Sequence, residues 1–277
     1  MKIKNILVPI DFSSCSKNAL KVAIDLAKAF NAKIHMVNAV HVHTPHPDVV
    51  GGSLIESIVS DYEQQVKESF DKLEKEIIEL QEVPHEADRF VAYLTDAIYS
   101  ESKAKKIDLI VMGTREKHDK LDQIIGSRAT DIISSSTVPV LVIPEKVEKF
   151  EINKIGFASD LSEIKNIKSL EPINLLAAQF NAEILAFTIV SDPAKLTGKD
   201  QKVIQDLSKR FGTNKNSVRA VHSERIIEGI KEFTRAHQLD LLAMVPRERS
   251  FIERLFKKSV TKDIAMAVDI PLLTFHE

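Results

Sequence analysis

The stretch DLIVMGTREKHDKLDQIIGS at residues 108–127 decides the fold, and a related stretch, DLLAMVPRERSFIERLFKKS, stands 132 residues later at 240–259. In each stretch an apolar run typical of a buried strand ends at a methionine, and a polar loop and an amphipathic run follow. The first stretch has Gly113 and Gly126 where the second has Val245 and Lys258. Ligands of open α/β sheets bind at the loop after a strand's carboxyl end. The two stretches therefore predict two strand–loop–helix units of unequal binding chemistry.

Strand and helix patterns alternate on both sides of these stretches. Amphipathic helical patterns separate short apolar runs in the first half, and these runs predict strands at residues 3–10, 33–40, 83–91, 109–112 and 138–143. Short connections with right-handed crossovers then imply a parallel sheet covered by helices on both faces. The sequence therefore predicts the α/β class.

The alternation restarts after a charged stretch, EKVEKFE, at residues 145–151. Asp160 repeats Asp11 at a shift of 149 residues, and Pro271 repeats Pro139 at a shift of 132. A register kept across several strands predicts a duplicated domain, with limits at residues 1–146 and 151–277.

The two predicted domains differ in two places. The shift between corresponding residues falls from 149 at Asp11 to 132 at Pro139, so the first half has more residues than the second. The extra residues lie between its second and fourth strands, mostly in a His/Pro/Gly loop and in the second helix. In the second half, Pro172 falls where the first half has Val22, inside the first helix. Proline in a helix interior costs about 3 kcal/mol, so we expect the second-half helix to start late or to kink.

Composition limits the classes of function. With 277 residues and 44% apolar content, the chain can bury the cores of two domains. A net charge of −2 predicts no general attraction to nucleic acid or to an anionic membrane. The single cysteine, Cys15, cannot form an internal disulfide, and no apolar run approaches the roughly 18 residues of a membrane span. We therefore expect a soluble, cytoplasmic protein.

Four motifs carry a resemblance to a known family. They are NILVPIDFS at residues 5–13, DLIVMG at 108–113, Gly126-Ser127, and VPVLVIP at 138–144. Together they resemble the universal stress protein family in its tandem two-domain form. The resemblance covers both halves of the chain and is clearer in the first.

The resemblance implies a fold for each half. Each would be a doubly wound, five-stranded parallel sheet of strand order 3-2-1-4-5, of the adenine nucleotide α-hydrolase-like type. The fifth strands, in VPVLVIP and in IPLLTFH at residues 270–276, would pair the domains into an intramolecular pseudo-dimer. Such pairing would also cover otherwise exposed sheet edges. The resemblance is also compatible with a homodimer of whole chains.

The resemblance also implies a site for ATP or another adenine nucleotide, with its magnesium ion, in the first half. Asp11 would contact the ribose with Pro9 and Ile10 beside it, and Val37 would face the adenine. The phosphates would lie in a loop of the family form G-x2-G-x9-G-[ST]. Gly113, Thr114 and Arg115 would begin this loop directly after Met112, which is also assigned to the site, and Gly126, Ser127 and Arg128 would end it.

Glu116 stands where the family loop has its second glycine. A carboxylate about 4 Å from a phosphate opposes binding by roughly 1 to 4 kcal/mol, whereas a helix N-terminus contributes only about 0.3 to 1 kcal/mol. If Glu116 points inward, phosphate binding is lost; if it points to solvent, Arg115 and Arg128 can keep the loop cationic. In the second half Val245, Glu248 and Lys258 replace all three glycines, which predicts no nucleotide there.

Simpler interpretations stand beside these assignments. Asp11 can also end a strand and help to cap the helix that begins near Ser14. The histidines His41, His43 and His46 are weak candidates for a metal site, because prolines mark a loop there and no second cluster completes the ligand set.

Stress-response regulation by ligand binding is the function that the resemblance implies. The sequence contains no nucleophile elbow and no Walker loop, so catalysis is not predicted. Two alternatives remain open, a scaffold that acts through an unidentified protein partner and a slow ATPase.

Overall fold

A computed structural model describes residues 2–41, 52–114, 127–147, 149–161, 167–211, 218–245 and 269–276. The chain divides into two compact units, Lys2–Gly113 and Thr114–Glu277. The domain limits drawn from the sequence repeat, residues 1–146 and 151–277, stay a prediction.

The first unit alternates strands with helices, and its strands are parallel. Its elements are β1 (Asn5–Pro9), α1 (Ser14–Phe30), β2 (Lys33–Val40), α2 (Gly52–Glu76), a 3-10 turn (Ile78–Glu82), β3 (His85–Val91), α3 (Leu94–Ala104) and β4 (Leu109–Thr114).

The second unit repeats this alternation after one further helix and strand. Its elements are α4 (Ser127–Ser135), β5 (Val140–Pro144), β6 (Lys154–Ala158), a 3-10 turn (Ile167–Leu170), α5 (Glu171–Phe180), β7 (Glu183–Val190), a 3-10 turn (Pro193–Lys195), α6 (Gly198–Arg210), β8 (Arg219–His222), α7 (Ile226–His237), β9 (Leu241–Met244) and β10 (Leu272–Thr274).

Strand order confirms the predicted topology. The order is β3-β2-β1-β4-β5 in the first half and β8-β7-β6-β9-β10 in the second, so each half has the order 3-2-1-4-5. The central strands β1, β5 and β6 are almost wholly buried, which explains the Val, Ile and Leu content of β1 and β5 and the small and apolar residues of β6. The α/β class predicted from the alternation is confirmed.

The duplication extends to individual backbone angles. Non-glycine residues rarely adopt a positive φ, because Cβ then crowds the backbone. Six described residues do so, and they form three pairs at the shifts seen in the sequence. The pairs are Phe12 (61°) with Leu161 (59°), Asn31 (52°) with Asn181 (53°), and Lys106 (52°) with Gln238 (52°).

The predicted long second helix of the first half and the predicted late helix start in the second half are confirmed, whereas the His/Pro/Gly loop at residues 42–51 lies outside the described residues. Helix α2 has 25 residues and its counterpart α6 has 13, so the second helix accounts for much of the extra length of the first half. Pro172 lies in the first turn of α5, where its missing N–H would have no helical partner in any case. The helix therefore starts late, as Pro172 predicts.

The fifth strands of the two halves pair with each other. Strand β10 runs antiparallel to β5, with Leu273 opposite Leu141 and Thr274 opposite Val140. Both strands are fully buried. The predicted pairing is therefore observed, while the wider pseudo-dimer packing stays a prediction.

A charged cluster lies at the amino ends of β2 and β3. The Glu86 carboxylate pairs with Lys33, accepts a bond from Lys105 Nζ at 2.8 Å, and lies 2.8 Å from Nδ1 of the buried His35. Hydrogen bonds from Lys105 and then from Lys33 lower the pKa of Glu86 from 4.5 to about 2. Burial, opposed by Glu86, lowers the pKa of His35. This cluster stabilises the first unit when Glu86 is ionised.

We expect Glu86→Gln to lower the free energy of unfolding by about 1 to 2 kcal/mol near neutral pH, allowing for solvent screening of a carboxylate that is partly exposed. Since folding lowers the pKa of Glu86, its stabilisation is present above pH 4.5 and is lost as the pH falls toward 2. Urea unfolding between about pH 7 and about pH 3 should therefore show the wild type and the variant converging. A constant difference across this range would contradict the assignment.

No helix in the described parts of the chain combines the length and the apolar content that crossing a bilayer requires.

Candidate functional site

The first unit brings two of the predicted site residues to the same edge of its sheet. Strand β1 lies between β2 and β4, so the strand order reverses direction beside β1. Asp11 follows the carboxyl end of β1, and Gly113 lies at the carboxyl end of β4. Ligands of open α/β sheets bind outside the strand ends at such a switch point.

Asp11 is exposed and its side chain is held by the turn that follows it. Its Oδ1 accepts hydrogen bonds from the Ser13 backbone N–H at 3.1 Å and from the Ser13 hydroxyl. Ser13 is the N-cap of α1, and its Oγ accepts from the Ser16 N–H at 3.4 Å. Asp11 therefore orients the residue that caps the helix, and the cap itself is Ser13.

Gly113 is required by a close backbone approach. A Cβ at this position would lie 2.2 Å from the carbonyl oxygen of Cys15 and 2.5 Å from its carbonyl carbon. Cys15 is itself buried in the first turn of α1. The end of β4 therefore packs directly against the start of α1, which is a structural reason for glycine beside the phosphate role that the sequence predicts.

The apolar residues predicted to line the site are all buried, namely Pro9, Ile10, Val37 and Met112. Val37 has no exposed surface, and its carbonyl accepts from the Ile10 N–H at 2.8 Å. In this structure its side chain belongs to the core, and its predicted contact with adenine stays a prediction.

The predicted phosphate loop is described only at its two ends. Thr114 ends β4 and is partly exposed, Ser127 begins α4, and the side chain of Arg128 is exposed. Residues 115–126, which include Arg115, Glu116 and Gly126, lie outside the described part of the chain. The effect of Glu116 on phosphate binding therefore stays a prediction.

The model of the family described as "Universal stress protein family" matches residues 2–144 of this chain. The chain belongs to the universal stress protein family. Universal stress protein A homolog 1 of Coxiella burnetii is 32% identical to it over 144 residues, which are 52% of this chain and 97% of that protein.

Solved structures show that the universal stress protein fold extends over both halves. A universal stress protein from Archaeoglobus fulgidus superimposes with a TM-score of 0.76 at 15% identity, covering 100% of this chain and 99% of its own. A protein from Pseudomonas aeruginosa described as a putative universal stress protein gives 0.65 at 14% identity, with coverages of 99% and 93%. At these identities the likeness concerns the fold alone.

The histidine loop of this universal stress protein is described only at its first residue. The ring of His41 stacks on that of Tyr93, with centroids 3.9 Å apart. His43 and His46 lie outside the described residues. Within the described ranges, no three side chains of the kinds that bind metals are grouped together.

Two residues beside the Asp11 turn were missed by the sequence analysis. Asn38 is buried, its Nδ2 donates to the Ile10 carbonyl at 2.6 Å, and its Oδ1 accepts from the Tyr62 hydroxyl at 2.5 Å. The available signal was an asparagine within the apolar run of β2. Nothing in the sequence indicates that its partner would be a tyrosine of α2.

The corresponding turn of the second half has the same backbone and different side chains. The Ser159 N–H donates to the Phe187 carbonyl at 2.9 Å, as Ile10 does to Val37, and Ser159 Oγ accepts from the Leu161 N–H at 3.1 Å. Asp160, at the position of Asp11, is only partly exposed. The second half therefore keeps the turn, with an aspartate that is less exposed than Asp11.

Proposed function

We propose that this universal stress protein is a cytoplasmic stress-response regulator that binds one adenine nucleotide, ATP or AMP, in its first half. The observation that carries the proposal is the position of Asp11 and Gly113 at the switch point of the sheet, with the Asp11 carboxylate exposed and oriented by Ser13. A fixed carboxylate in this place suits the hydroxyl groups of a ribose, because an ionised carboxylate is a strong hydrogen-bond acceptor.

The phosphates would be bound by the loop between β4 and α4. Gly113 and Thr114 would begin this loop with Arg115, and Gly126, Ser127 and Arg128 would end it. Backbone N–H groups at a helix N-terminus bind anions, and the exposed Arg128 adds a positive charge near the start of α4. Magnesium would enter with ATP as its complex.

Only one nucleotide is proposed per chain. The second half has Val245, Glu248 and Lys258 in place of the loop glycines, and its Asp160 is only partly exposed. A β-branched side chain at the end of β9 restricts the close backbone approach that phosphate binding needs. The second half would therefore serve as a structural partner of the binding half.

Isothermal titration with Mg-ATP should give one site per chain, and Asp11→Asn should weaken binding about tenfold, equivalent to about 1.4 kcal/mol. Asparagine keeps one acceptor for Ser13 and removes the charge that the ribose hydroxyls would contact. The matched control is Asp160→Asn, which should leave the affinity unchanged. AMP titrated in parallel separates ribose and adenine contacts from phosphate contacts.

Three results would redirect the proposal. With millimolar ATP, no heat and no rise in melting temperature would exclude the nucleotide function and favour a scaffold that acts through a protein partner. Equal weakening by Asp11→Asn and Asp160→Asn would place the site elsewhere. Phosphate release above background that disappears in Gly126→Val would indicate a slow ATPase.

A further inference from the structure

Helix α2 reaches the residue before Asp11 through a chain of two hydrogen bonds, one partly buried and one buried. The Tyr62 hydroxyl of α2 donates to Asn38 Oδ1 at 2.5 Å, and Asn38 Nδ2 donates to the Ile10 carbonyl at 2.6 Å. Asn38 is 8% exposed. A buried amide left without partners is costly, so this chain fixes the carbonyl that leads into Asp11.

Helix α2 also contacts the residue after Asp11. The rings of Phe12 and Phe70 meet edge to face with their centroids 5.1 Å apart, and Phe70 is buried in α2. Phe12 has a φ of 61°, a conformation that costs free energy for a residue with a Cβ and persists only where its surroundings enforce it. The aromatic contact therefore packs α2 against the one residue of the turn that has this conformation.

The second half has a different residue at the position of Asn38. Thr188 stands there, at the shift of 150 residues that relates Asn31 to Asn181, and it is buried. A threonine hydroxyl is shorter than a carboxamide and has one oxygen where asparagine has both an amide and a carbonyl. The carboxamide link between α2 and the turn is therefore a property of the half for which nucleotide binding is proposed.

We infer that Tyr62 and Phe70 are positioning residues for Asp11, and that α2 is coupled through them to nucleotide binding. The inference rests on the proposed function and adds to it that helix α2 responds to the bound nucleotide. Preorganising Asp11 lowers the ordering cost of binding. By linkage, a ligand bound at Asp11 must stabilise the contacts that hold the turn, so occupancy would be transmitted to α2.

Tyr62→Phe is the direct test, because it removes one hydroxyl and keeps the ring. Loss of this partly buried hydrogen bond, which leaves the buried Asn38 carbonyl without its tyrosine donor, should raise the Kd for Mg-ATP about three- to tenfold. The preference for ATP over 2′,3′-dideoxy-ATP should fall by the same factor, since the substitution weakens the hydrogen bonds between Asp11 and the ribose hydroxyls. A purely structural role of Tyr62 would lower stability without changing this preference.

Two control variants separate positioning from loss of stability. Ile34→Val removes a methylene group from the buried part of β2 away from the turn, and it should lower the melting temperature while leaving the affinity and the ribose preference unchanged. Tyr93→Phe removes the hydroxyl of an exposed tyrosine and should leave the melting temperature, the affinity and the ribose preference unchanged. An unchanged ribose preference in Tyr62→Phe, or an equal change in Ile34→Val, would overturn the inference.

Hydrogen exchange gives a measurement that does not depend on nucleotide. Without ligand, Tyr62→Phe should speed exchange at the hydrogen-bonded amides of Ile10 and Ser13 about three- to tenfold relative to Ile34→Val. If wild-type protein binds no ATP, the proposed function fails, and this comparison still decides whether α2 holds the turn. If ATP binds, it should slow exchange across α2 in the wild type and less in Tyr62→Phe; equal slowing would overturn the coupling.

Discussion

Gly113→Ala is expected to lower the free energy of unfolding of the first unit by about 3 kcal/mol, as in severe overpacking of a core. The added Cβ would lie 2.2 Å from the carbonyl oxygen of Cys15, so the end of β4 or the first turn of α1 must move. A flexible side chain could rotate away at small cost, whereas a backbone carbonyl at a helix start cannot. Because both elements carry the proposed site, Mg-ATP binding should weaken as well.

Gly198→Ala is the matched control for this substitution. Gly198 is the first residue of α6, and nothing lies within 4 Å of the position that its Cβ would take. Alanine there should change stability by less than about 1 kcal/mol, in the stabilising direction. Urea and thermal unfolding of the two variants would test the close approach; equal stabilities for them would contradict it.

Asp108→Ala is expected to lower the free energy of unfolding by about 2 to 3 kcal/mol, because it removes a charged acceptor that serves two backbone donors. Asp108 Oδ2 accepts from the N–H groups of Lys4 at 2.8 Å and Asn5 at 3.0 Å, and its own N–H donates to the Asn5 carbonyl at 2.9 Å. One aspartate thus ties the entrance of β4 to the entrance of β1. Alanine keeps the last of these bonds and loses the other two.

The second half provides an internal replicate of this prediction. Asp240 Oδ2 accepts from the N–H groups of Asn153 at 2.7 Å and Lys154 at 2.9 Å. Asp240→Ala should therefore cost the second unit a similar free energy, measured by hydrogen exchange in β6 and β9. Asp108→Asn, which keeps an acceptor without the charge, should cost less than half as much. A melting temperature for Asp108→Ala equal to that of the wild type would contradict the role.

The sequence contains enough information for the fold because its signals are local and repeated. The same order of apolar strand-length runs, loop residues and amphipathic helical runs recurs in both halves. Asp11 and Asp160 follow the first strand of their half at equivalent positions. The alternation limits the topology to a parallel sheet with crossovers. Pro172 predicted a late helix start for the same local reason, since a missing N–H affects only its own helix.

Contacts between distant residues could not be predicted in this way. The repeated stretches begin at Asp108 and Asp240, yet nothing in the sequence says that these carboxylates bind the entrances of β1 and β6. The packing role of Gly113 and the link from Tyr62 to Asn38 also depend on how helices settle on the sheet. Val37 is fully buried in the described structure, and a strand residue near the ligand edge can face the core, so its contact with adenine stays a prediction.

Antiparallel pairing of β5 with β10 has a consequence for how this chain can change over time. Strands from two separate molecules would dissociate on dilution, whereas strands of one chain meet at an effective concentration that the connecting residues set. Because the two halves cannot separate by diffusion, their sequences need not stay alike for them to pair. The second half, with Val245 and Lys258 at the positions of Gly113 and Gly126, can therefore diverge at these loop positions while it keeps the strand that pairs with β5.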